Sequence, residues 1–237
     1  MEEKEQKFVL WYDEMNGSDF PHAGKKNANL GEMLKAGIPI SPGFAITVHA
    51  NDQFLVLTGI KDQIKKQIET LGQVTYETAK DASVIAIDLI EKAAMPAVLE
   101  EAILSNYRKL CERAGVNCCP VAVRSSGAVS MPGQMETYLN IYGEKDLIDY
   151  TKKCWSSAYN VEAIMYRMNK GMPFLFNIGV GIPKMVNSRV SGIIFTINPI
   201  NGDLSKISID ASYGLGEAVV SGLLCCRYCY QAPLNRN

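Results

Sequence analysis

The feature that most constrains the fold is a long helical stretch, residues 60 to 115, that stands between segments of strand character. Within it, KDQIKKQIETL, DASVIAIDLIEKAA and PAVLEEAILSNYRKLCERAG place apolar residues three and four positions apart, with charges between them. This spacing is typical of helices that bury one face. The apolar runs FVLWYD, before the stretch, and PVAVRSS, after it, read as buried strands. Helices and strands that do not alternate as strict βαβ units predict an α+β fold.

The rest of the chain extends this pattern. GKKNANLGEMLKAGI (24–38) has apolar residues at helical spacing, and Gly37 suits a helix end. VHANDQFLVLTG is expected to form a further helix, and KDLIDYTKKCWSSAYNVEAIMYRMNKG is expected to form one helix or two. ETYLNIYG, NIGVGIPKMV, RVSGIIFTINP and KISIDASYG are strand-like runs separated by turn residues. We expect an N-terminal lobe with the helical segment over 1–115, a second lobe over 116–222, and an atypical tail over 223–237.

The composition excludes several classes of function. The 237 residues include 24 basic and 25 acidic side chains, a balance that does not suggest a nucleic acid or a membrane surface as partner. No run approaches the roughly 18 to 20 apolar residues of a membrane helix, and MEEKEQKF does not resemble a signal peptide. We therefore expect a cytoplasmic protein. The seven cysteines, an odd number without even spacing, favour reduced thiols, and Cys226 and Cys229 lack a second pair of metal ligands.

The first candidate for chemistry is Lys26, in AGKKNANLGEM at the start of a predicted helix. A helix N-terminus presents backbone N–H groups and partial positive charge, which suit a phosphate group. A lysine at this place is also commonly just a solvated side chain, so the segment alone leaves both interpretations open.

The second candidate is Arg124, at the end of the predicted strand in VAVRSSGAVSMPGQMETYLNI. A guanidinium offers paired donors to phosphate oxygens. Ser125, Ser126 and Gly133 are small enough for the backbone to approach an anion closely. The alternative is a plain Ser/Gly hairpin loop beside an exposed arginine.

The third candidate is ASYGLGEAVVSG, in which Gly214 and Gly216 permit a tight turn after a strand. The acid Glu217 could contact a metal ion or a ribose hydroxyl. The spacing does not match the dinucleotide-binding pattern, so this segment carries little weight alone.

Taken together, GKKNANLGEMLKAGIPISPGFAIT, VRSSGAVSMPGQMETYLNI and SGIIFTINPINGDLSKISIDASYGLGEAVVSG resemble one family. It is the ATP-binding N-terminal region of phosphoenolpyruvate synthase (pyruvate, water dikinase) and pyruvate, phosphate dikinase, which rifampin phosphotransferase shares. The resemblance spans about residues 8 to 222, with the motifs in the family's order. RSSGAVSMPGQ is more similar to the phosphate dikinase, and CWSSAYNVEAIMYR is more similar to the synthase.

The resemblance implies an ATP-grasp-like nucleotide-binding region with a helical insertion, in which ATP lies between two lobes. Lys26 and Arg124 would contact the phosphates and serve catalysis, and Gly133 and Thr137 would line the nucleotide. Glu217 would lie near the nucleotide or its Mg²⁺, while the metal ligands themselves stay unidentified. The full reaction would move phosphate from ATP to a histidine and then to pyruvate, giving phosphoenolpyruvate, AMP and inorganic phosphate.

Two departures from the family shape the hypotheses. Family members usually have a nucleotide-contacting glutamine where this chain has Pro183, which puts that contact in question. After VVSG, the chain lacks the expected Pro-Asp-x-Tyr, Ile-Glu-Trp and Gln-x-Arg-Pro motifs, and neither His22 nor His49 has the context of the phosphorylated histidine. The phosphohistidine and pyruvate-binding domains would then be absent from the chain.

We therefore expect a truncated or frameshifted piece of a longer dikinase that is inactive alone in the full reaction. The alternatives are an ATP-binding subunit of a split enzyme, a non-catalytic remnant that binds nucleotide weakly, and a module of a phosphotransferase that acts on a small molecule such as an antibiotic.

Overall fold

The chain folds into two units, residues 1–185 and residues 186–237, and each is described by itself. The structure is a computed structural model that describes residues 5–70, 75–129 and 136–221. The mixture of helices and antiparallel strands in it agrees with the predicted α+β class. Gly133 and the predicted tail over 223–237 lie outside the described residues.

The strands are β1 (Val9–Trp11), β2 (Gly43–Ile46), β3 (Val121–Ser126), β4 (Thr137–Ile141), β5 (Gly179–Pro183), β6 (Val190–Phe195) and β7 (Ser208–Tyr213). The helices are α1 (Phe20–Ala23), α2 (Lys25–Lys35), α3 (Val48–Leu57), α4 (Ile60–Thr70), α5 (Tyr76–Lys92), α6 (Ala97–Arg113), α7 (Gly143–Ser156), α8 (Val161–Asn169) and α9 (Glu217–Val220).

These elements confirm most of the local predictions. The helical stretch becomes α4, α5 and α6, and the segment left open between one helix and two becomes α7 and α8. A 3₁₀ turn, Ser157–Tyr159, separates these two helices. Helix α2 ends where expected, just before Gly37, whose φ of 77° suits a residue without a side chain. No helix among the described residues is both long and apolar enough to cross a membrane.

The first unit is built on a five-stranded antiparallel sheet with the order β1-β2-β5-β3-β4. Strand β5 is central although it is the last of these five strands in the sequence: Gly43 of β2 pairs with Pro183, and Arg124 of β3 pairs with Gly181. Strands from both sides of the expected lobe boundary at 115/116 therefore belong to one sheet, and that boundary falls inside the first unit.

One face of this sheet carries large apolar side chains and packs against the helices. Val123 of β3, Ile182 of β5 and Phe44 of β2 are fully buried in a core that also includes residues from α3 to α8. Phe54 and Trp155 meet in this core with ring centroids 5.0 Å apart. This face supplies most of the apolar burial, and with it most of the stability, of the first unit.

The opposite face carries small residues, and a smaller core covers it. Ala45 of β2 packs with residues such as Tyr12 and Ala23. A Cβ atom added to Gly179 would lie 2.4 Å from the backbone oxygen of Ala23. The absence of side chains on this face therefore lets α1 and the start of α2 lie directly against the sheet.

The second unit contains an antiparallel hairpin of β6 and β7, followed by the short helix α9. Val190 pairs with Tyr213 at one end of the hairpin, and Phe195 pairs with Ser208 at the other. At the turn after β7, the hydroxyls of Ser188 and Ser191 donate hydrogen bonds to the backbone oxygen of Gly214. Three consecutive runs predicted as strands thus form β5, β6 and β7.

Candidate functional site

The start of helix α2 is fastened to the end of strand β3. The backbone N–H of Lys25 donates to the carbonyl oxygen of Gly127 at 3.0 Å. The backbone N–H groups of Lys26 and Asn27 donate to the hydroxyl oxygen of Ser126, at 3.1 and 3.3 Å. Ser126 therefore caps the helix from a distant strand, as a local N-cap side chain would.

This arrangement occupies the backbone groups at the start of the helix. The N–H groups of Lys25, Lys26 and Asn27 have partners within the protein. Ser126, predicted to be small enough for the backbone to approach an anion, holds the helix through its hydroxyl, and its role towards an anion stays a prediction. The close contact is possible because residue 24 is a glycine with φ of 81°. A Cβ atom added to Gly24 would lie 1.9 Å from the backbone oxygen of Ser126.

The docked helix brings Lys26 to the same cleft as Arg124, although they are distant in the sequence. The cleft has a volume of about 250 Å³, and it lies on the small-residue side of the sheet. It is lined by Tyr12, Lys26, Asn27, Asn29, Leu30, Met33, Arg124, Ser125, Gly181 and Pro183. Its described lining residues include two cationic side chains and no carboxylate. Within the described part of the chain, neither cation forms an ion pair with an acidic group.

The two cations influence each other. The pKa of Lys26 is lowered, first because the protein removes water from around its ammonium group and second because the Arg124 guanidinium lies nearby. A bound anion would reverse the second effect, because it would place negative charge beside both groups. The cleft is therefore electrostatically suited to an anionic ligand.

Thr137 stands directly beside Arg124. It is the cross-strand partner of Arg124 on β4, and opposite residues of an antiparallel pair project from the same face. On the other side of Arg124 is Gly181, which has no side chain. The strand neighbours of the arginine thus offer a hydroxyl on one side and, on the other, a position without a side chain that Asn27 and Tyr12 approach closely.

Several cleft residues were not singled out in the sequence. Tyr12 follows β1, and burial raises the pKa of its phenol, which the charge of Arg124 opposes. Asn27 donates from its side-chain amide to the carbonyl oxygen of Ala23 at 2.8 Å, and so joins α1 to α2. Asn29 and Met33 lie on the same helix. The helical periodicity of this segment could have placed Asn29, Leu30 and Met33 near Lys26, whereas nothing local marks Tyr12.

The other predicted residues lie elsewhere or outside the described residues. Glu217 is the exposed first residue of α9, in the second unit. His49 stacks on Phe8 with ring centroids 5.5 Å apart. Neither His49 nor His22 lines the cleft. Pro183, where a family glutamine was expected, lines it.

The described residues do not form a metal centre. In the described ranges, no group of three or more His, Cys, Asp or Glu side chains is arranged to hold a metal ion. Mg²⁺ prefers oxygen ligands, usually including carboxylates, and the two cations of the cleft do not fit that preference. Among the described residues, Cys111, Cys118, Cys119 and Cys154 are free thiols.

Comparisons with known proteins agree with the motif resemblance. The family model of the pyruvate phosphate dikinase AMP/ATP-binding domain matches residues 20–231. A probable phosphoenolpyruvate synthase of Staphylothermus marinus is 41% identical over 228 residues, which cover 92% of this chain and 27% of that protein. A phosphoenolpyruvate synthase of Aeropyrum pernix is 40% identical over 226 residues, covering 92% of this chain and 28% of that protein.

A third relative, a probable phosphoenolpyruvate synthase of Methanocaldococcus jannaschii, is 40% identical over 223 residues, covering 91% of this chain and 19% of that protein. The chain thus spans between 19% and 28% of the length of these three relatives. The family match extends over most of the chain, from before α2 to beyond α9. The chain therefore belongs to the pyruvate phosphate dikinase AMP/ATP-binding domain family, as its motifs predict.

Proposed function

We propose that this chain is the ATP-binding phosphotransfer module of a dikinase of the pyruvate, water dikinase type. In this proposal, the module adopts an ATP-grasp-like arrangement and passes phosphate from Mg-ATP to a histidine of another domain. Two phosphoryl groups leave ATP in all: water takes one, which is released as inorganic phosphate, and the other passes from the histidine to pyruvate, so that the products are phosphoenolpyruvate, AMP and inorganic phosphate. His22 and His49 do not line the cleft, which supports an acceptor histidine outside the described residues.

The observation that carries the proposal is the pairing of Lys26 with Arg124. Two cations in one cleft without a carboxylate repel each other, and this costs free energy unless an anion joins them. A structural role would normally bring an acidic partner to at least one of them. A polyphosphate group would supply the missing negative charge, and membership of an AMP/ATP-binding domain family supports ATP as its source.

The residues of the cleft have distinct tasks in this proposal. Arg124 offers a planar fork of donors to two phosphate oxygens, and Lys26 adds a compact charge from α2. Thr137 can donate a hydroxyl beside Arg124. Phosphoryl transfer depends largely on positioning and charge neutralisation, which is what these groups provide. Mg²⁺, when bound to the phosphate oxygens, would neutralise further charge.

The size of the cleft supports a role in binding phosphates. Pockets for whole small-molecule ligands commonly measure about 300–1,000 Å³, and this cleft measures about 250 Å³. A cleft of this size has room for the phosphate part of a nucleotide. The base and ribose would then be held by other residues.

The test is a titration of the full chain with Mg-ATP, in parallel with Lys26→Met and Arg124→Met. Each variant should weaken ATP binding by at least about tenfold, since each removes a charged hydrogen-bond donor worth roughly 1.5–3 kcal/mol. The thermal unfolding midpoint should hardly change, because both side chains are exposed and make no ion pair within the described residues.

Two matched controls complete this experiment. Lys25→Met removes the neighbouring exposed lysine, which does not line the cleft, and Arg108→Met removes an exposed arginine that pairs with Glu144. Both controls should bind ATP like the unaltered chain. ATP binding that is equal in all five proteins would refute the assignment of the cleft. No ATP binding by the unaltered chain would favour the non-catalytic remnant.

A further inference from the structure

Arg167 is a buried cation that lies outside the cleft. It is on α8, its exposed fraction is 0%, and it has no acidic partner among the described residues. Burial lowers its pKa to about 10. An unpaired charge inside a protein is unfavourable, so its presence needs a structural reason.

The guanidinium of Arg167 joins two separate segments. Its Nη1 donates to the carbonyl oxygen of Ala158, in the 3₁₀ turn between α7 and α8, at 2.5 Å. Its Nη2 donates to the carbonyl oxygen of Phe174, in the segment that leads into β5, at 3.3 Å. Its Cζ also lies 5.2 Å from the ring centroid of Phe176, within the range of a cation–π contact. Only a planar fork of donors can reach both carbonyls at once.

The first segment continues to the strand on one side of Arg124. Next to Ala158 is Ser157, whose hydroxyl oxygen accepts a hydrogen bond from the backbone N–H of Glu136 at 3.3 Å. Glu136 immediately precedes Thr137, the partner of Arg124 on β4. The 3₁₀ turn therefore helps to fix the first residues of β4 in place.

The second segment continues to the other side of Arg124 and to Lys26. Phe176 packs beside Gly127, where an added Cβ would lie 3.5 Å from its ring. The carbonyl oxygen of Gly127 holds the N–H of Lys25, next to Lys26. The same segment enters β5, whose Gly181 pairs with Arg124.

We infer that Arg167 is a positioning residue of the nucleotide cleft: it holds together the turn that supports β4 and the segment that supports β5 and the start of α2. It touches no residue of the cleft lining through a hydrogen bond, and acts through Ala158, Phe174 and Phe176. The expected effect of Arg167 on ATP binding rests on the proposed function. Its expected effect on the positions of β4 and β5 rests on the geometry alone.

The test compares Arg167→Lys, which keeps the charge but loses the fork, with Ile103→Ala, a control buried in the core on α6. Amide hydrogen exchange is measured across 136–141 and 179–183, with α6 as a reference. In Arg167→Lys, exchange in the two strands should rise about tenfold more than in α6, which reports local opening rather than global unfolding. In Ile103→Ala the strands and α6 should change together.

The functional readout is the ratio of the affinities for Mg-ATP and adenosine. Arg167→Lys should weaken Mg-ATP binding about tenfold and leave adenosine binding unchanged, because only the phosphate-binding groups are displaced. Ile103→Ala should leave the ratio unchanged. The inference is overturned if the affinity ratio is equal in Arg167→Lys and the unaltered chain. It is also overturned if amide exchange in Arg167→Lys rises equally in β4, β5 and α6.

Two further outcomes remain decisive. If the unaltered chain does not prefer Mg-ATP to adenosine, the proposed function fails, and the exchange comparison alone supports or overturns the positioning role. If Arg167→Lys does not fold, Phe176→Leu replaces it, since this change removes the ring beside the guanidinium and keeps both hydrogen bonds. Faster exchange confined to β4 and β5 in that variant supports the inference, and unchanged exchange overturns it.

Discussion

The two faces of the five-stranded sheet differ in the side chains that they carry. One face presents residues such as Val123 and Ile182 to a large core covered by helices α3 to α8. The other presents Gly179, Gly181 and Ala45, and only the small core around Tyr12 covers part of it. The difference shows how one sheet can separate two tasks. Large side chains on one side bury apolar area, and missing side chains on the other let helices α1 and α2 lie directly against the sheet.

We call the face with Val123 and Ile182 the packed face, and the face with Gly179 and Gly181 the open face. The open face differs from the packed face in more than the amount of apolar area that it buries. Each missing side chain on it corresponds to a backbone or polar group at very short range, such as Ala23 beside Gly179 or Asn27 beside Gly181. These contacts place Lys26 over the sheet next to Arg124. Substitutions on the packed face should therefore reduce stability, while substitutions on the open face should also reduce ATP binding.

The largest expected effect on stability is on the packed face. Phe54→Ala removes a fully buried ring that meets Trp155. It should lower the free energy of unfolding by about 3–5 kcal/mol, as measured by urea denaturation. ATP affinity, measured well below the unfolding transition, should stay the same. Val56→Ala, at an exposed position of the same helix, is the control. A large loss of ATP affinity in folded Phe54→Ala would contradict the separation of the two faces.

A smaller loss of stability, joined to a loss of binding, is expected on the open face. Gly179→Ala would force a methyl group against the backbone of Ala23 and cost about 1–3 kcal/mol. The displaced α1 and α2 would carry Lys26 away from Arg124, so the Mg-ATP affinity measured by titration should fall as well. In Gly17→Ala the new methyl group meets only the flexible side chain of Glu32 at 3.4 Å. If the two variants behave alike, the close approach of α1 to the sheet is not important.

A third change tests the hydroxyl that holds the start of α2, separately from the close approach of α1 to the sheet. Ser126→Ala removes the hydroxyl that accepts from the N–H groups of Lys26 and Asn27. The loss should be about 1 kcal/mol, the usual value for a helix cap, and ATP affinity should fall by severalfold. Ser105→Ala removes a hydroxyl on α6 that bonds only within its own helix, and should change neither quantity. Unchanged ATP affinity in Ser126→Ala would show that the cap does not position Lys26.

The smallest perturbation is a chemical one that leaves the fold unchanged. Because the pKa of Lys26 is lowered, a larger fraction of its amine is neutral at any pH below its usual pKa of 10.5. Acetic anhydride should therefore modify Lys26 faster than Lys25. As the pH is raised, the rate at Lys26 should reach its plateau at a lower pH than is usual for a lysine. Mass spectrometry of peptides measures both rates. Mg-ATP should protect Lys26 and not Lys25. Equal rates, or no protection, would contradict the shared cleft.

The local elements could be predicted from the sequence because their causes are local. Apolar spacing predicts α4, α5 and α6, and the runs around Arg124 and Gly181 predict β3 and β5. The order of the strands could not be predicted, because the pairing of Gly43 with Pro183 leaves no signal near either residue. The boundary expected at 115/116 followed from a change in local pattern, which does not reveal that the strands on both sides share a sheet.

The candidate site was predictable to a similar extent. Lys26 and Arg124 stand out by residue type and by their motifs, and the structure brings them together in one cleft. The use of the helix N–H groups by Ser126 depends on a contact between distant parts of the chain, so no local pattern could show it. Tyr12 was missed for the same reason. The roles of Gly133, Thr137 and Glu217 stay predictions.

The central place of β5 governs the order in which this sheet can form. During synthesis, β1 and β2 leave the ribosome first, and the α3–α6 block follows. The edge of β2 that pairs with β5 stays unpaired until Pro183, the partner of Gly43, has been synthesised. At ordinary rates of translation this interval is on the order of ten seconds. In that time an unpaired strand edge stays open to other chains. Completion of β5 is thus the step at which the nascent chain ceases to be prone to aggregation through this edge.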